Sequence, residues 1–352
     1  MREISVDQFI HTEKAIPVDV RSPGEFEEFH IPGAVNVPLF TNDERALIGT
    51  IYKQEGSDVA KWRAMEIVSA KIPDMLGKIR DLMQDGGHPV IYCWRGGMRS
   101  KSVATFLSFA GLSATRLTGG YRAYRQYILE AIPNLVPQKA ISIHGMTGVG
   151  KTEVLHKLAE KGMAVIDLEG MAAHRGSIFG YYGQYLGHSQ KTFDALLFDT
   201  LLKIKDKPFF FIEAESKRIG KVVQPDVLLD LKQDGININL QASLKTRIER
   251  IHRDYVEPYL NEDWFLDTIK ERYAFIRKRM KDKEAIQALD DSLENQDFRL
   301  FIKVLLESYY DPRYAHKQLE YEKPFHHIEA DDVDAATEEI IKLVESKSAL
   351  AN

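Results

Sequence analysis

The chain is almost free of cysteine and has no long hydrophobic run. Cys93 is the one cysteine among 352 residues, which excludes an internal disulfide framework and a zinc site built from several cysteines. No apolar stretch approaches the roughly 20 residues of a membrane-spanning helix, and residues 1–7 lack the apolar core of a secretion signal. We therefore expect a cytoplasmic protein with a free thiol and no membrane partner.

The charge of the chain also lacks a strong bias toward either sign. Lysine and arginine total 47 against 52 aspartate and glutamate residues, which gives a formal net charge of −5. A nucleic acid, if it is a partner, must therefore bind a local basic surface. The hydrophobic share of 44% and the charged share of 28% are those of an ordinary globular protein, and the length predicts two domains.

The single cysteine lies in a predicted loop between a strand and a helix. Residues 93–100 follow an apolar run that predicts a buried strand, and they precede residues 103–107, where we predict the start of a helix. Backbone N–H groups in such a loop, together with the helix N-terminus, stabilise a thiolate or an oxyanion. A lone cysteine is more often a small buried hydrophobe. The Gly-Gly pair and the flanking Arg95 and Arg99 favour a reactive thiol instead.

The first 133 residues predict a parallel α/β sheet. Residues 15–21, 89–92 and 114–117 predict strands, and Ser22 with Pro23 predicts the start of an intervening helix. Chemistry in such folds lies at the carboxyl ends of the strands, where Cys93 is placed.

Two prolines mark the expected domain boundary. Pro133 and Pro137 bracket a short linker, which we place at residues 134–139. We assign residues 1–133 to the first domain and residues 140–352 to a second α/β domain, with a long helical region at about residues 255–314 inserted in it.

The second domain opens on a phosphate-binding loop. Residues 140–144 predict a strand, the pattern GxxxxGK[ST] follows directly, and a helix follows the pattern. The glycines let the backbone wrap a diphosphate, the lysine is a point charge on its terminal oxygens, and the final hydroxyl can hold Mg²⁺. The predicted diphosphate-binding residues are Gly145, Met146, Thr147, Gly148, Val149, Gly150, Lys151 and Thr152.

Two polar stretches follow later strands and should face the same sheet edge. Residues 168–180 and 213–220 each come after an apolar strand, and the second occupies the place of a Walker B acid. No aspartate ends that strand, which argues against standard ATP hydrolysis, and the alternative is a charged turn. The candidate residues are Glu169, His174, Arg175, Ser177, Glu213, Glu215 and Arg218.

The helical region carries a basic stretch at residues 270–283. A solvated helix face is one interpretation. RNA contact is the other, since Tyr273 and Phe275 alternate with the basic residues and could stack on bases. The candidate RNA-binding residues are Arg272, Arg277, Lys278 and Arg279.

Motifs across the chain resemble known families. The first domain resembles a rhodanese domain in four stretches, at residues 19–26, 30–34, 93–99 and 119–121. The resemblance implies that the loop cysteine carries a sulfane sulfur or a related chalcogen. The whole chain resembles the tRNA 2-selenouridine synthase family through further stretches at residues 42–58, 168–180, 215–220 and 305–314. One departure is Ala214, where that family often has aspartate, which weakens a metal site at this turn.

The resemblance implies a two-step reaction on tRNA. Wobble 2-thiouridine is first S-geranylated with geranyl diphosphate, and selenium from selenophosphate then replaces the geranylthiol. It implies no tightly bound cofactor, with Mg²⁺ as an optional ion at Thr152. The implied catalytic residues are Cys93, Arg95, Arg99 and Lys151.

Two other functions fit parts of the pattern. The first is a rhodanese sulfurtransferase fused to an ATP- or GTP-dependent kinase-like domain. The second is a non-catalytic RNA-binding or chalcogen-carrier protein. Neither explains both phosphate-type sites together with the additional motifs.

Overall fold

The computed structural model describes residues 1–174, 187–318 and 323–349. The chain divides into two compact units. The first unit contains Met1–Asn134 together with Ser189–Asp199, and the second contains Leu135–His188 and Thr200–Asn352. No helix within the described ranges is both long enough and apolar enough to cross a membrane.

The first unit is built on a five-stranded parallel sheet. Its strands run β1 (Arg2–Ile4), β2 (Ala15–Asp19), β3 (Val35–Asn36), β4 (His88–Tyr92) and β5 (Thr115–Leu117). They lie in the order β1-β5-β4-β2-β3, and all neighbours are parallel. The middle strand of the sheet, β4, leads directly into Cys93. The predicted parallel α/β sheet, with the cysteine at the carboxyl end of a strand, is confirmed.

Seven helices of this unit surround the sheet. They are α1 (Val6–Ile10), α2 (Pro23–Glu28), α3 (Asn42–Gln54), α4 (Ser57–Val68), α5 (Ile72–Asp81), α6 (Met98–Phe109) and α7 (Gly120–Leu135). Helix α7 passes through Pro133, so the first two residues of the expected linker are helical. Buried tyrosine and isoleucine side chains along one face of α7 hold it against the unit despite the proline.

The predicted start of α6 at residue 103 is wrong. The helix begins at Met98, five residues earlier, with Gly97 as its N-cap. Its buried residues are Ser100, Val103, Ala104 and Leu107, which recur at the spacing of one helix face. The apolar stretch therefore marks the face packed on the sheet, while the first turn is polar. Arg99 consequently lies in the first turn of α6 and not in an extended loop.

The second unit has its own five-stranded parallel sheet. The described strands of this unit are β6 (Ala140–His144), β7 (Val165–Ile166), β8 (Phe210–Glu213), β9 (Arg218–Ile219), β10 (Val222–Val223), β11 (Ile236–Gln241) and β12 (Phe325–Glu329), and five of these seven form the parallel sheet. The sheet has the order β12-β11-β6-β8-β7, and β9 with β10 forms a separate antiparallel ribbon. The central strand β6 is buried along its whole length, because helices cover both faces of a parallel sheet.

Helices follow the strands of the second unit and then form a helical region. They are α8 (Lys151–Glu160), α9 (Leu168–Ala172), α10 (Gln190–Ile204), α11 (Asp226–Asp234), α12 (Leu244–Tyr255), α13 (Phe265–Arg277), α14 (Lys283–Glu294), α15 (Phe298–Leu305), α16 (Asp311–Gln318) and α17 (Val333–Ala349). Helix α10 crosses the division between the units, since its residues up to Asp199 group with the first. A π-helical turn at Leu306–Tyr310 joins α15 to α16.

The helical region has a hydrophobic core of its own. Side chains from α12, α13, α14, α15 and the π-helical turn form one buried cluster, separate from the cluster around the sheet. Tyr273 belongs to this core and is 4% exposed. Its hydroxyl donates to Asp290 Oδ1 at 2.8 Å. The expectation that Tyr273 could stack on RNA bases is therefore wrong, because its ring faces the protein interior.

Candidate functional site

The phosphate loop joins the central strand β6 to α8. Residues 145–150 form the loop, and α8 begins at Lys151 with Gly150 as its N-cap. Gly148 has a φ of +83°, and a Cβ there would lie 2.9 Å from Ile251 Cδ1 and 3.0 Å from the Arg247 carbonyl oxygen. Only glycine fits this position, because the backbone is left-handed and α12 packs directly against it. The first N–H groups of α8 have no carbonyl partner within the helix, a geometry that suits an anion.

Lys151 lies over this loop. Its ammonium donates to the Gly145 carbonyl at 3.0 Å and lies 5.5 Å from the centre of the Tyr314 ring. Burial by itself lowers the pKa of Lys151, whereas the charges of Tyr314, Glu215 and nearby glutamates raise it. The charges have the larger effect, so the net pKa is above its ordinary value. The ammonium is therefore a permanent positive charge at the phosphate loop.

The side-chain oxygens of Thr152 and Glu169 lie together beside the loop. The Thr152 hydroxyl donates to Glu169 Oε2 at 3.2 Å. Burial and the charge of Glu215 raise the pKa of Glu169 to about 7. The described residues contain no group of three or more His, Cys, Asp or Glu that could hold a metal by themselves. The pair fits Mg²⁺, which takes one or two protein oxygens and completes its shell with water and phosphate oxygens.

Glu213, the last residue of β8, supports this site through its contact with α9. It is fully buried, and its Oε2 accepts from the Leu168 N–H at 2.8 Å. Burial and the charges of Asp167 and Glu169 raise the pKa of Glu213 well above its ordinary value. Because it bonds to the first residue of α9, Glu213 positions the helix that carries Glu169.

The other members of the two polar stretches are spread around the site. Glu215 is half-buried, and its carbonyl accepts from Lys232 Nζ at 2.8 Å. His174 is half-buried, and burial lowers the pKa of its imidazole. Its backbone N–H donates to the Glu169 carbonyl at 3.0 Å. Arg218 is exposed on β9. Arg175 and Ser177 lie outside the residues that the structure describes.

A cavity of about 900 Å³ opens over the phosphate loop and is rich in cations. Its basic lining residues outnumber its acidic ones: Arg250, Arg253, Arg279, Arg313, Lys151 and Lys157 against Glu153, Glu160, Glu169 and Asp254. Arg250 also braces the loop, since its Nη1 donates to the Val149 carbonyl at 2.9 Å. The sequence interpretation missed Arg250, Arg253 and Arg313. The dense basic residues of α12 were the available signal for Arg250 and Arg253, whereas Arg313 lies on α16.

Arg247 is a second brace that sequence reasoning missed. It is 3% exposed, and its Nε donates to the Thr147 carbonyl at 2.8 Å. Its guanidinium also bonds Asp311, with Nη2 to Oδ1 at 2.6 Å and Nη1 to Oδ2 at 3.0 Å. This bidentate pair fixes the phosphate loop to the start of α16.

The basic stretch does not form one continuous face. Arg277 pairs with Asp290, with Nη2 to Oδ2 at 3.1 Å. Arg279 lines the phosphate cavity, and Arg272 lies close enough to His174 to lower that residue's pKa. Lys278 is exposed, and its Nζ lies 6.0 Å from the ring of Phe275, which is 56% exposed.

In the first unit, Cys93 lies at the base of its loop. The thiol is 3% exposed and donates to Ser100 Oγ at 3.3 Å. The Cys93 carbonyl accepts from the Tyr121 N–H at 2.9 Å. A Cβ at Gly120 would lie 2.2 Å from that carbonyl oxygen, so glycine is required where α7 begins. The loop is thereby fixed on both sides, with the thiol beside the N-terminus of α6.

The two arginines of the loop differ in their surroundings. Arg95 is exposed, as an anion-binding residue at the surface would be. Arg99 is half-buried and bonds Glu25, with Nη1 to Oε2 at 2.5 Å and Nη2 to Oε1 at 3.2 Å. Burial raises the pKa of Glu25, but the Arg99 guanidinium outweighs it, so the net pKa is below the ordinary value.

The Arg99–Glu25 pair predicts a pH-dependent stability. Glu25→Gln should reduce the free energy of unfolding by about 1–2 kcal/mol at neutral pH. Because the native pKa of Glu25 is lowered, the stabilisation is present above the unfolded pKa of about 4.3 and is lost as pH falls through the native value. Urea unfolding of variant and wild type at pH 7 and at about pH 3 measures this. Glu27→Gln on the exposed side of α2 is the control, and an equal Glu25→Gln effect at both pH values would contradict the prediction.

An aromatic cluster supports the cysteine loop. Trp94 stacks on Tyr121 with ring centres 5.7 Å apart and meets Phe29 edge-on at 5.6 Å. Lys191, from the segment 189–199, lies with Nζ 3.7 Å from the Phe29 ring centre and 5.3 Å from that of Trp94. Asp194 of the same segment bonds Arg125 at 2.6 Å. The sequence contains no local signal for this contribution.

The two units together define a class of protein, a rhodanese-like domain joined to a phosphate-loop domain. A rhodanese-like domain family matches residues 5–127, and the tRNA 2-selenouridine synthase AAA domain family matches residues 138–345. A tRNA 2-selenouridine synthase from Hydrogenovibrio crunogenus is 34% identical over 337 residues, which cover 86% of this chain and 90% of that one. The chain belongs to the tRNA 2-selenouridine synthase family.

Two further proteins are similar over part of the chain. A tRNA 2-selenouridine synthase from Nitrosomonas europaea is 36% identical, over 68% of this chain and 63% of its own length. The solved N-terminal domain of a protein described as ATP/GTP binding, from Clostridium difficile 630, is 43% identical. That match covers 36% of this chain and 98% of the other, with a TM-score of 0.35.

Proposed function

We propose that this protein converts wobble 2-thiouridine in tRNA to 2-selenouridine in two steps, S-geranylation with geranyl diphosphate and then selenium transfer from selenophosphate. One observation carries the proposal: a cationic phosphate loop and a loop thiol occur in one chain of this family. The relatives' name describes the product, 2-selenouridine in tRNA. In the two-step proposal, the phosphate loop serves the geranylation and the cysteine loop serves the selenium transfer.

The phosphate loop suits the first step. The thiocarbonyl sulfur attacks C1 of geranyl diphosphate, the C1–S bond forms as the C1–O bond breaks, and diphosphate leaves with the electron pair. The uridine N3 proton passes to solvent. Loop N–H groups and Lys151 stabilise the charge that develops on the departing diphosphate. Mg²⁺ held by Thr152 and Glu169 would neutralise further charge on that group.

The cysteine loop suits the second step. Overall, a C2–Se bond replaces the C2–S bond, the geranylthiol leaves with a proton, and water cleaves the Se–P bond, so that phosphate is released and selenium keeps its selenide oxidation state. Arg95 and the N–H groups at the start of α6 would bind the anionic oxygens of selenophosphate. Arg99 would join them on release from Glu25. Cys93 would attack C2 of the geranylated base as a nucleophile, so that the geranylthiol leaves, and selenium would then displace the Cys93 sulfur from C2.

The tRNA would contact the exposed end of the basic stretch. Lys278 beside the exposed ring of Phe275 offers a cation and a stacking surface, as single-stranded RNA requires. Arg279 in the phosphate cavity places a further cation on the same stretch. Arg272 and Arg277 are the remaining candidates.

The proposal is tested by supplying the two donors separately. We expect 2-thiouridine tRNA with geranyl diphosphate alone to give S-geranyl-2-thiouridine, and addition of selenophosphate to convert it to 2-selenouridine. Mass analysis of digested nucleosides measures both products. Selenouridine formed without any geranyl donor would overturn the two-step proposal. Steady ATP turnover without tRNA would favour the kinase-like alternative, and tight tRNA binding without conversion would favour a carrier.

A further inference from the structure

A second cavity, with walls that are mostly hydrocarbon, lies next to the phosphate loop. It encloses about 60 Å³. All its lining residues except Thr147 come from the helical region, and seven of them are no more than 6% exposed: Val256, Ile269, Phe298, Phe301, Ile302, Leu305 and Leu306. These residues belong to the separate core of that region, so the cavity is a space left within otherwise close-packed apolar side chains.

This apolar cavity adjoins the cationic cavity over the phosphate loop, and the two share part of their walls. Four residues border both spaces: Thr147, Ile251, Tyr255 and Tyr310. Thr147 is itself a residue of the phosphate loop. Ile251 lies against the loop backbone, as its close approach to Gly148 shows. The apolar space therefore begins where the phosphate-binding surface ends.

The pair of cavities has the chemistry of an amphiphilic ligand. The cationic side fits a diphosphate, whereas the apolar side would leave the polar edges of a nucleobase without hydrogen-bond partners, which is costly. A hydrocarbon chain has no such groups and gains by leaving water. The geometry points to the apolar cavity as the binding site for the hydrocarbon tail of a prenyl diphosphate whose head lies on the phosphate loop. This inference rests on the proposed function and assigns the part of that site which recognises the prenyl group.

The cavity size sets how much of the tail it can enclose. A space of about 60 Å³ holds roughly four to six water-sized groups, which corresponds to one five-carbon isoprene unit. Each buried methylene is worth roughly a fourfold gain in affinity. We therefore expect dimethylallyl diphosphate and geranyl diphosphate each to bind at least tenfold more tightly than methyl diphosphate, which has the same head group and no tail.

The test measures these three affinities by calorimetry on the full chain. Ile302→Phe fills the cavity, and it should leave the dissociation constant for methyl diphosphate within about twofold while removing most of the tail's gain. Leu300→Phe is the matched control, because Leu300 lies on the same helix α15 but is 41% exposed and does not line the cavity. We expect it to retain the wild-type preference for tailed ligands.

A second cavity-filling variant tests whether the loss of tail binding comes from misfolding of the first variant. Ile269→Phe fills the space from α13 and should give the same result. The inference is overturned if wild type binds methyl and geranyl diphosphate equally. It is also overturned if both filled variants keep the tail's gain, or if both lose methyl diphosphate as well, since filling the tail space should not reach the head group.

The two proposals fail in different ways. If wild type geranylates tRNA but Ile302→Phe does so with unchanged affinity for geranyl diphosphate, the tail lies elsewhere and the proposed function stands. If wild type binds none of the three diphosphates and forms no geranylated nucleoside, the proposed function itself fails.

Discussion

Cys93→Ala is expected to abolish 2-selenouridine formation while S-geranyl-2-thiouridine accumulates. The substitution removes the one thiol of the chain, and with it the proposed nucleophile, so the selenium step should slow by on the order of 10³-fold or more. The phosphate loop belongs to the other unit, so geranylation should proceed at close to the wild-type rate. Nucleoside mass analysis over time, with both donors present, gives the two rates.

The control for this prediction keeps the thiol and changes its partner. Ser100→Ala removes the 3.3 Å hydrogen bond to Cys93 and should slow selenium transfer only modestly. The Cys93→Ala change in the buried core should cost about 1 kcal/mol of stability, which a melting curve separates from the loss of activity. Selenouridine formation by Cys93→Ala at the wild-type rate would show that the thiol has no part in the reaction.

Lys151→Ala is expected to reduce geranylation by about 10²–10³-fold. The ammonium lies directly over the phosphate loop and is held there by the Gly145 carbonyl, so its removal leaves the departing diphosphate without its nearest fixed charge. With 2-thiouridine tRNA, selenouridine should fall in parallel, because the second step consumes the product of the first. With tRNA that is already S-geranylated, selenium transfer should be normal.

Normal selenium transfer from S-geranylated tRNA would show that Lys151→Ala has lost the geranylation step and is still folded. Lys161→Ala is the matched control, since Lys161 caps the same helix α8 and pairs with Glu338 at 2.6 Å, away from the phosphate cavity. Single-turnover rates with each tRNA measure the effect. If Lys151→Ala geranylates normally, the phosphate loop binds some other ligand and the diphosphate assignment is wrong.

Local patterns were sufficient to predict the architecture. Glycine spacing between an apolar strand and a helix identified the phosphate loop, and the strand before Cys93 placed the thiol at a sheet edge. Both features depend on backbone conformations that only a few residue types allow, so they are readable without knowledge of the rest of the fold. The first residue of α6 could not be predicted in this way, because the polar first turn of that helix has no apolar periodicity.

Side-chain environments were harder to predict. Glu213 ends an apolar strand, as a Walker B acid would, yet it is buried and bonds the Leu168 N–H. Tyr273 alternates with basic residues, yet its ring is in the core. A strand end or a helix face fixes where a side chain starts, whereas its burial depends on which distant elements pack over it.

The sequence by itself determined the two α/β sheets, the phosphate loop and the position of the cysteine loop, because each is encoded in a few adjacent residues. Only the tertiary structure decided the environment of these loops. Arg247 and Arg250 of α12 brace the phosphate loop from about 100 residues away, and residues 189–199 contribute Lys191 to the cluster beside Trp94. Such contacts arise from packing between elements remote in sequence, and no local pattern specifies them.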